Sequence, residues 1–509
     1  MNYFDLTETD AFRKLSDYCR EKPELKKLLT PESVKSCTVP AGGGLSFSYA
    51  GKGITPKLLE LCQSLADEQE CIEKYKDLLA GGLANRGEKR AVMHHLCRDT
   101  SSDSLYAREK EKFFAFADRV RSGAIRSSAG KVFDTVVQIG IGGSGLGPKA
   151  LYQGLLGYCI AEKVSPLLKA EFISNIDPDE PGIVLSRINP ETALFILVTK
   201  SGTTLETLTN YAFVKEIIDK EYPHISLEKQ TVVVTATGSP LDDAEKFMAV
   251  FHIDDSIVGR FSSSGACAGV LVSAVFGPAV FQGFLEGAHQ ADLLARNSKV
   301  QDNAALLDAL LDVIDVNIRH IPVMAIIPYS RALESFIAHL QQLCMESNGK
   351  PAPYATSPVI FGTAGTDCQH SFFQQLHQGP EEVPVEFIGF RHSQLGSDVQ
   401  YNGSVSQEKL NANLAAQITA FAEGRCDKDI NRCFPGNRTS SLLYGDRLTP
   451  ESLGALFAHF ENKVMFQGFL WNINSYDQEG VQLGKDLAKA ALDMQKTDNP
   501  ILRSYYSFF

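Results

Sequence analysis

The chain has 509 residues, more than one hydrophobic core ordinarily serves, so at least two domains are expected. A formal charge of −12 and a pI near 5.5 argue against nucleic acid as a main partner, because neutralising a phosphate backbone needs a basic surface. Eleven cysteines, with no C-x-x-C pair, read as reduced thiols of a cytoplasmic protein rather than as a metal or disulfide framework.

The opening residues, MNYFDLTETDAFRKL, are charged from the start and carry no signal-peptide core. Residues 1–116 read as a helical extension: ITPKLLELCQSLADEQECIEKYKDLLAGG has apolar residues at helical spacing and ends on glycine. From about residue 131 the pattern changes. VFDTVVQIGI, AEFISNID, TALFILVTK and QTVVVTAT are short runs rich in Val, Ile, Phe and Thr with helical stretches between them, the alternation of βαβ units. Their continuous apolar character predicts a parallel sheet covered on both faces. Residues 261–285 carry no charge and are long enough to span a membrane. Their serines, Pro278 and Gln282 favour a buried helix instead. IRHIPVMAIIPYS, SPVIFGTA and VPVEFIGF repeat the strand pattern, with RALESFIAHLQQLCMES as a long helix between the first two. The expected fold is α/β, with two doubly wound domains at 117–285 and 286–455. Helical segments 1–116 and 456–509 flank them, the second carrying Lys485.

Two loops speak to chemistry. In VVQIGIGGSGLGPKAL, Gly140, Gly142 and Gly145 fit G-x-G-x-x-G between a strand and a helix, which is an anion site by construction. A dinucleotide would also want an acidic residue about 20 residues on. Asp177 lies further along than that, so the motif alone leaves a dehydrogenase open. In FILVTKSGTTLET, Thr199, Ser201, Thr203 and Thr204 surround Gly202 at a strand end, a set of hydroxyls suited to a phosphate monoester. Capping of the following helix is the plainer account of the two threonines. Two phosphate-type loops on one sheet favour a sugar phosphate over a dinucleotide.

With these loops in view the chain resembles the glucose-6-phosphate isomerase (phosphoglucose isomerase) family, built from two sugar-isomerase (SIS) domains. Six segments carry the resemblance in order: IGIGGSGLGP, VTKSGTTLET, GRFS, MESNGK, GTDCQHSFFQQLHQG and GVQLGKDLA. The chain departs from the family pattern in SIVGRFSSSGAC, which lacks a tryptophan and a glycine before the arginine. Cys368 stands in place of glycine and Glu479 in place of tryptophan.

The resemblance implies an aldose–ketose isomerase that needs neither metal nor cofactor. It implies Glu346 as the base moving a proton between C2 and C1, since a carboxylate is ionised at neutral pH. Arg260 is implied as the charge that stabilises the enediolate, and His370 with Lys485 as the ring-opening pair. Gly143, Ser144, Thr199, Lys200, Ser201, Thr204 and Gln342 are implied as substrate contacts. His377, two turns after His370, has no third ligand in view and reads as structural. The family's homodimeric assembly, with each site sharing His370 across the two-fold axis, is likewise an expectation here. Wider alternatives are an enzyme that also takes mannose 6-phosphate and a non-catalytic sugar-phosphate sensor. A sensor would not need Glu346, Arg260, His370 and Lys485 together.

Overall fold

The computed structural model describes residues 4–99, 104–493 and 499–509. Strands β1 (Thr38–Gly42) and β2 (Leu45–Ser48) form an antiparallel hairpin. Strands β3 (Thr135–Ile139), β4 (Lys169–Ile173), β5 (Ala193–Val198), β6 (Thr231–Thr235) and β7 (Ala249–His252) make a sheet in the order β4-β3-β5-β6-β7, all parallel. Strands β8 (Val323–Pro328), β9 (Val359–Phe361) and β10 (Val385–His392) follow. A two-residue hairpin, β11 (Gln400–Tyr401) and β12 (Ser404–Val405), precedes β13 (Ser440–Arg447). The second sheet runs β1-β2-β13-β10-β8-β9, parallel from β13 to β9.

Strand residues alternate between cores, as a doubly wound sheet requires. In β3, Val136 packs into the large central core and Val137 into a smaller one under the helix Leu205–Glu221. In β8, Ile326 faces the centre, while Ile327 packs with Phe373 and Phe421 on the far side. The uncharged run 261–285 divides at Gly277 (φ 99°) into helices Ala266–Phe276 and Pro278–Leu294, both largely buried. No helix among the described residues is long and apolar enough to cross a membrane.

Two sequence expectations need correction. The segment 1–116 is not wholly helical, because the β1–β2 hairpin extends the second sheet through β2 against β13. Its short strands and three consecutive glycines hide it from periodicity. All three glycines have positive φ, and a Cβ on Gly43 would lie 2.3 Å from the Glu451 carbonyl oxygen. The predicted boundaries at 116, 285 and 455 fall inside the helices Leu105–Arg121, Pro278–Leu294 and Pro450–Leu470. All three helices contribute side chains to the central core, so no linker composition marks them.

The helix Pro450–Leu470 is buried along nearly its whole length, so its charges must be paired inside. Lys463 Nζ lies 3.0 Å from Asp308, 3.0 Å from Asp312 and 2.9 Å from Glu386 of β10. His459 Nε2 is 3.0 Å from the same Asp308 oxygen. Asp308, Glu386 and His459 have metal-ligand spacing, but the Lys463 ammonium already engages the Asp308 and Glu386 oxygens. Burial, with Asp308 and Glu386 adding to it, pushes Asp312 up to about 7 against the pull of Lys463. Two turns of backbone contact seat this helix: Gly287 approaches the Glu451 carbonyl and Gly454 the Phe284 carbonyl so closely that a Cβ on either would clash.

Removing the ammonium by Lys463→Met would leave three buried carboxylates without a counter-charge, an expected loss of about 3–5 kcal/mol in denaturant unfolding. The folded state then holds protons that the unfolded chain releases near pH 4, so the deficit should be larger at pH 8 than at pH 5. A loss below 1 kcal/mol at both pH values would contradict this reading.

Candidate active site

The glycine loop leaves β3 at Ile139, makes a single tight turn at Gly142–Ser144 and enters the helix Leu146–Ala161. No side chain caps that helix, so its first N–H groups are free for a ligand. Gly142 has φ 59°, a conformation that L side chains rarely adopt. Gly143 is needed for closeness: a Cβ there would lie 2.2 Å from the Gly259 carbonyl oxygen. The loop is thereby pressed against the residue that precedes Arg260.

The hydroxyl loop leaves β5 and precedes the helix Leu205–Glu221. Thr204 stands at the N-cap but makes no capping bond; its hydroxyl pairs with that of Thr199 at 2.8 Å. Ser201 Oγ accepts from the Thr203 N–H at 3.2 Å and from the Thr203 hydroxyl at 3.0 Å. Ser201 and Thr204 line the cleft, whereas Thr199 is buried behind Thr204 and orients it. Lys200 lines the cleft too, but donates to the carbonyls of Asp255 (2.8 Å) and Ile257 (2.9 Å). Burial lowers its pKa, with Asp255 opposing. It therefore braces the 255–257 loop that leads to Arg260. Asp177, the acid considered for a dinucleotide ribose, accepts instead from the Asp179 N–H at 3.0 Å.

Arg260 is buried, and its guanidinium makes four hydrogen bonds. Nε donates to Ser347 Oγ at 2.6 Å and Nη1 to Gln478 Oε1 at 2.9 Å. Nη2 donates to the carbonyls of Ser475 (2.7 Å) and Asp477 (2.9 Å). Burial lowers its pKa, and the Glu346 carboxylate is the largest charge opposing that. Glu346 Oε1 lies 3.8 Å from Nη1, and its side chain stays 25% exposed, open to the cleft.

Glu346 ends a π-helical segment, Gln342–Glu346, that continues the helix Glu334–Gln341. Such insertions often mark functional positions. Here Gln342 and Glu346 both reach the cleft wall, with Gln342 Nε2 lying over Gly142. The turn beyond is fastened to the 474–478 loop. Asn348 Oδ1 accepts from Ser475 Oγ at 2.6 Å, and Lys350 pairs with Asp477 at 2.7 Å.

The cleft encloses about 1000 Å³ and gathers Gly143, Ser144, Lys200, Ser201, Thr204, Gln342, Glu346 and Lys485. Lys485 reaches it from the exposed helix Gln482–Leu492. Glu88, Arg90 and Gln478 also line it and were missed in the sequence. The charge run RGEKR, residues 86–90, looks like any solvated loop, and nothing local marks Gln478. His370 is not brought to the cleft. It ends the turn Asp367–His370 and is exposed, while Cys368 is fully buried beneath it and Gln369 donates to the Tyr329 hydroxyl at 2.9 Å. His377 is structural: it bonds Gln417 at 2.8 Å and stacks on Phe421 at 4.2 Å.

Residues 48–507 match the family model described as phosphoglucose isomerase. The chain belongs to the phosphoglucose isomerase family. It is 46% identical to the glucose-6-phosphate isomerase of Treponema denticola over the full length of both chains. It is 48% identical to that of Treponema pallidum (strain Nichols), covering all of this chain and 98% of the relative. The crystal structure of a glucose-6-phosphate isomerase from Chlamydia trachomatis superposes with a TM-score of 0.92 at 38% identity, covering 99% of each chain. As a member of this family the protein is an aldose–ketose isomerase of glucose 6-phosphate and fructose 6-phosphate.

The close approach at Gly143 gives a sharp expectation. Gly143→Ala should push the glycine loop off Gly259 and shift Arg260 by a fraction of an ångström or more. A displacement of this order costs about 10²-fold in kcat/KM. Gly182→Ala, where nothing lies within 4 Å of the added methyl, should leave it unchanged. Equal activities in steady-state assays of the two variants would contradict the packing argument.

Proposed function

We propose that the cleft opens the sugar ring and carries the C2 hydrogen to C1 on Glu346. The observation that carries this reading is the pairing of a partly open carboxylate with a buried guanidinium, held by four hydrogen bonds, 3.8 Å away. A base must be reachable by substrate, whereas a stabilising charge must not move when charge develops. Glu346 removes the C2 proton of the open-chain aldose and returns it to C1. Arg260 offsets the negative charge of the enediolate between the two transfers. Its hydrogen bonds to Ser347, Gln478 and the 475–477 carbonyls hold it in place before reaction.

The phosphate is held by Ser201, Thr204 and the free N–H groups at the start of Leu205–Glu221, with the Gly143–Ser144 turn closing from the other side. Thr199 and Lys200 act behind this surface, the first on Thr204 and the second on the loop before Arg260. Gln342 sits between the phosphate loops and Glu346. Lys485 holds or protonates the ring oxygen.

The working enzyme is a homodimer, and the second ring-opening group, His370, comes from a second copy of the chain. Two features support this. His370 is exposed and outside its own cleft. The C-terminal segment also carries exposed apolar side chains, among them Leu483, Ile501 and Phe508, of the kind a subunit interface covers. Reduced thiols and the absence of a membrane-crossing helix among the described residues fit a cytoplasmic enzyme.

Glu346→Gln should lower kcat roughly 10²–10⁴-fold with little change in KM, measured as fructose 6-phosphate conversion in a coupled assay. Wild-type kcat in that variant would assign the base to another group. The shared site is tested by mixing Glu346→Gln with His370→Ala and letting subunits exchange. Random pairing makes about half the dimers mixed, each with one intact site of two, so about a quarter of wild-type activity should return. If both residues served the same chain's site, every site would keep one defect and no activity would return.

A further inference from the structure

Most of the eleven cysteines are buried or half-buried, but Cys426 is exposed, and it shares a surface loop with Cys433. Arg425 and Phe434 exchange both backbone hydrogen bonds, at 2.8 and 2.7 Å, as an antiparallel bridge. They clamp the base of an eight-residue loop whose first and last members are the two cysteines. The residues just inside such a pair face each other at a non-hydrogen-bonded position, where Cα atoms come within about 4.5 Å. That lies inside the range of about 4.4–6.8 Å that a disulfide spans.

The Cys433 sulfur lies on the side of its neighbour. Cys433 Sγ lies 3.2 Å from the Asp427 nitrogen and 3.0 Å from the Asp427 carbonyl oxygen. The Asp427 nitrogen is bonded directly to the Cys426 carbonyl carbon, so the Cys433 sulfur already sits against its neighbour's backbone. The exposed Cys426 side chain can turn about χ1 toward it.

We propose that Cys426 and Cys433 form a reversible dithiol–disulfide couple that exchanges with small disulfides of the glutathione type. The exposed Cys426 thiolate attacks one sulfur of oxidised glutathione, breaking that S–S bond and releasing one glutathione thiolate, which takes a proton. The Cys433 thiolate then attacks the Cys426 sulfur of the mixed disulfide and expels the second glutathione. Two protein thiols are oxidised, one glutathione disulfide is reduced to two thiols, and the two protons pass from the cysteines to them. Excess reduced glutathione runs the sequence backwards.

The loop is not isolated from the fold. Gln378 Nε2 donates to the carbonyls of Asn431 (3.0 Å) and Cys433 (2.8 Å). His377 meets the Phe434 ring edge-on at 5.8 Å. The couple therefore sits where the helix Phe373–Gln378 is held, the helix that follows the His370 turn.

The test uses the full-length enzyme. It is incubated with oxidised glutathione, blocked with N-ethylmaleimide under denaturing conditions, and mapped by mass spectrometry without reduction. The expected product is a linked peptide pair containing Cys426 and Cys433, with the other nine of the eleven cysteines alkylated and the link reversed by reduced glutathione. Cys433→Ser should instead keep a glutathione adduct on Cys426, because the resolving sulfur is gone. Alkylation of both cysteines after prolonged oxidation would overturn the proposal, as would a stable glutathione adduct on Cys426 in the unmodified protein.

Discussion

The Arg260 guanidinium is the constraint around which the site is assembled. A buried cation without acceptors would cost several kcal/mol, so the fold must supply them. It does so from two separate parts of the chain. Arg260 follows the 255–257 loop that Lys200 braces, Ser347 comes from the turn after the π segment, and Ser475, Asp477 and Gln478 come from the loop after Pro450–Leu470. Satisfying one charge thus brings the first sheet, the second sheet and the C-terminal segment to a single point. Glu346 sits at that point with its carboxylate open on one side, where the proposed reading puts the substrate carbon.

A second buried charge supports the same turn from behind. Lys463 draws Asp308, Asp312 and Glu386 together inside the central core. Gln467 Nε2 donates to Asp312 at 2.6 Å, and its carbonyl oxygen accepts from Asn348 Nδ2 at 3.0 Å. Asn348 also donates to the Val464 carbonyl at 3.0 Å. A continuous hydrogen-bonded path therefore runs from the ion cluster to the residue two places beyond Glu346. Buried polar paths of this kind rigidify a core, and this one ends two residues from Glu346, the proposed base.

Much of this was legible in the sequence, because the strands of the two sheets are short continuous apolar runs and the phosphate loops follow them. The runs around Val136, Leu194, Val232, Ile326 and Phe387 all became strands. What escaped was structure whose stability comes from distant partners. The β1–β2 hairpin has three glycines and four or five residues per strand, and it exists because β13 and the helix Pro450–Leu470 receive it. Strand β13 itself, SSLLYGDR, is half polar and lacks the continuous apolar run that marks the other strands. At the site, Glu346 and Arg260 are residue types with one dominant chemistry, and the fold brings the two together. Gln478 and Arg90 were not readable, since an ordinary Gln or Arg acquires a role only from where the fold carries it. Thr199 and Lys200 show the converse: their motif was visible, but only packing shows that they act behind the surface.

Isomerisation of C2-deuterated glucose 6-phosphate in ordinary water tests the role of Glu346 most directly. A carboxylate that is 25% exposed can hold the hydrogen and also exchange it with solvent. The account predicts fructose 6-phosphate with deuterium at C1 in part of the molecules and solvent hydrogen in the rest. Complete retention of deuterium at C1, with no solvent hydrogen entering, would mean a direct hydride shift and would contradict a proton carried on Glu346.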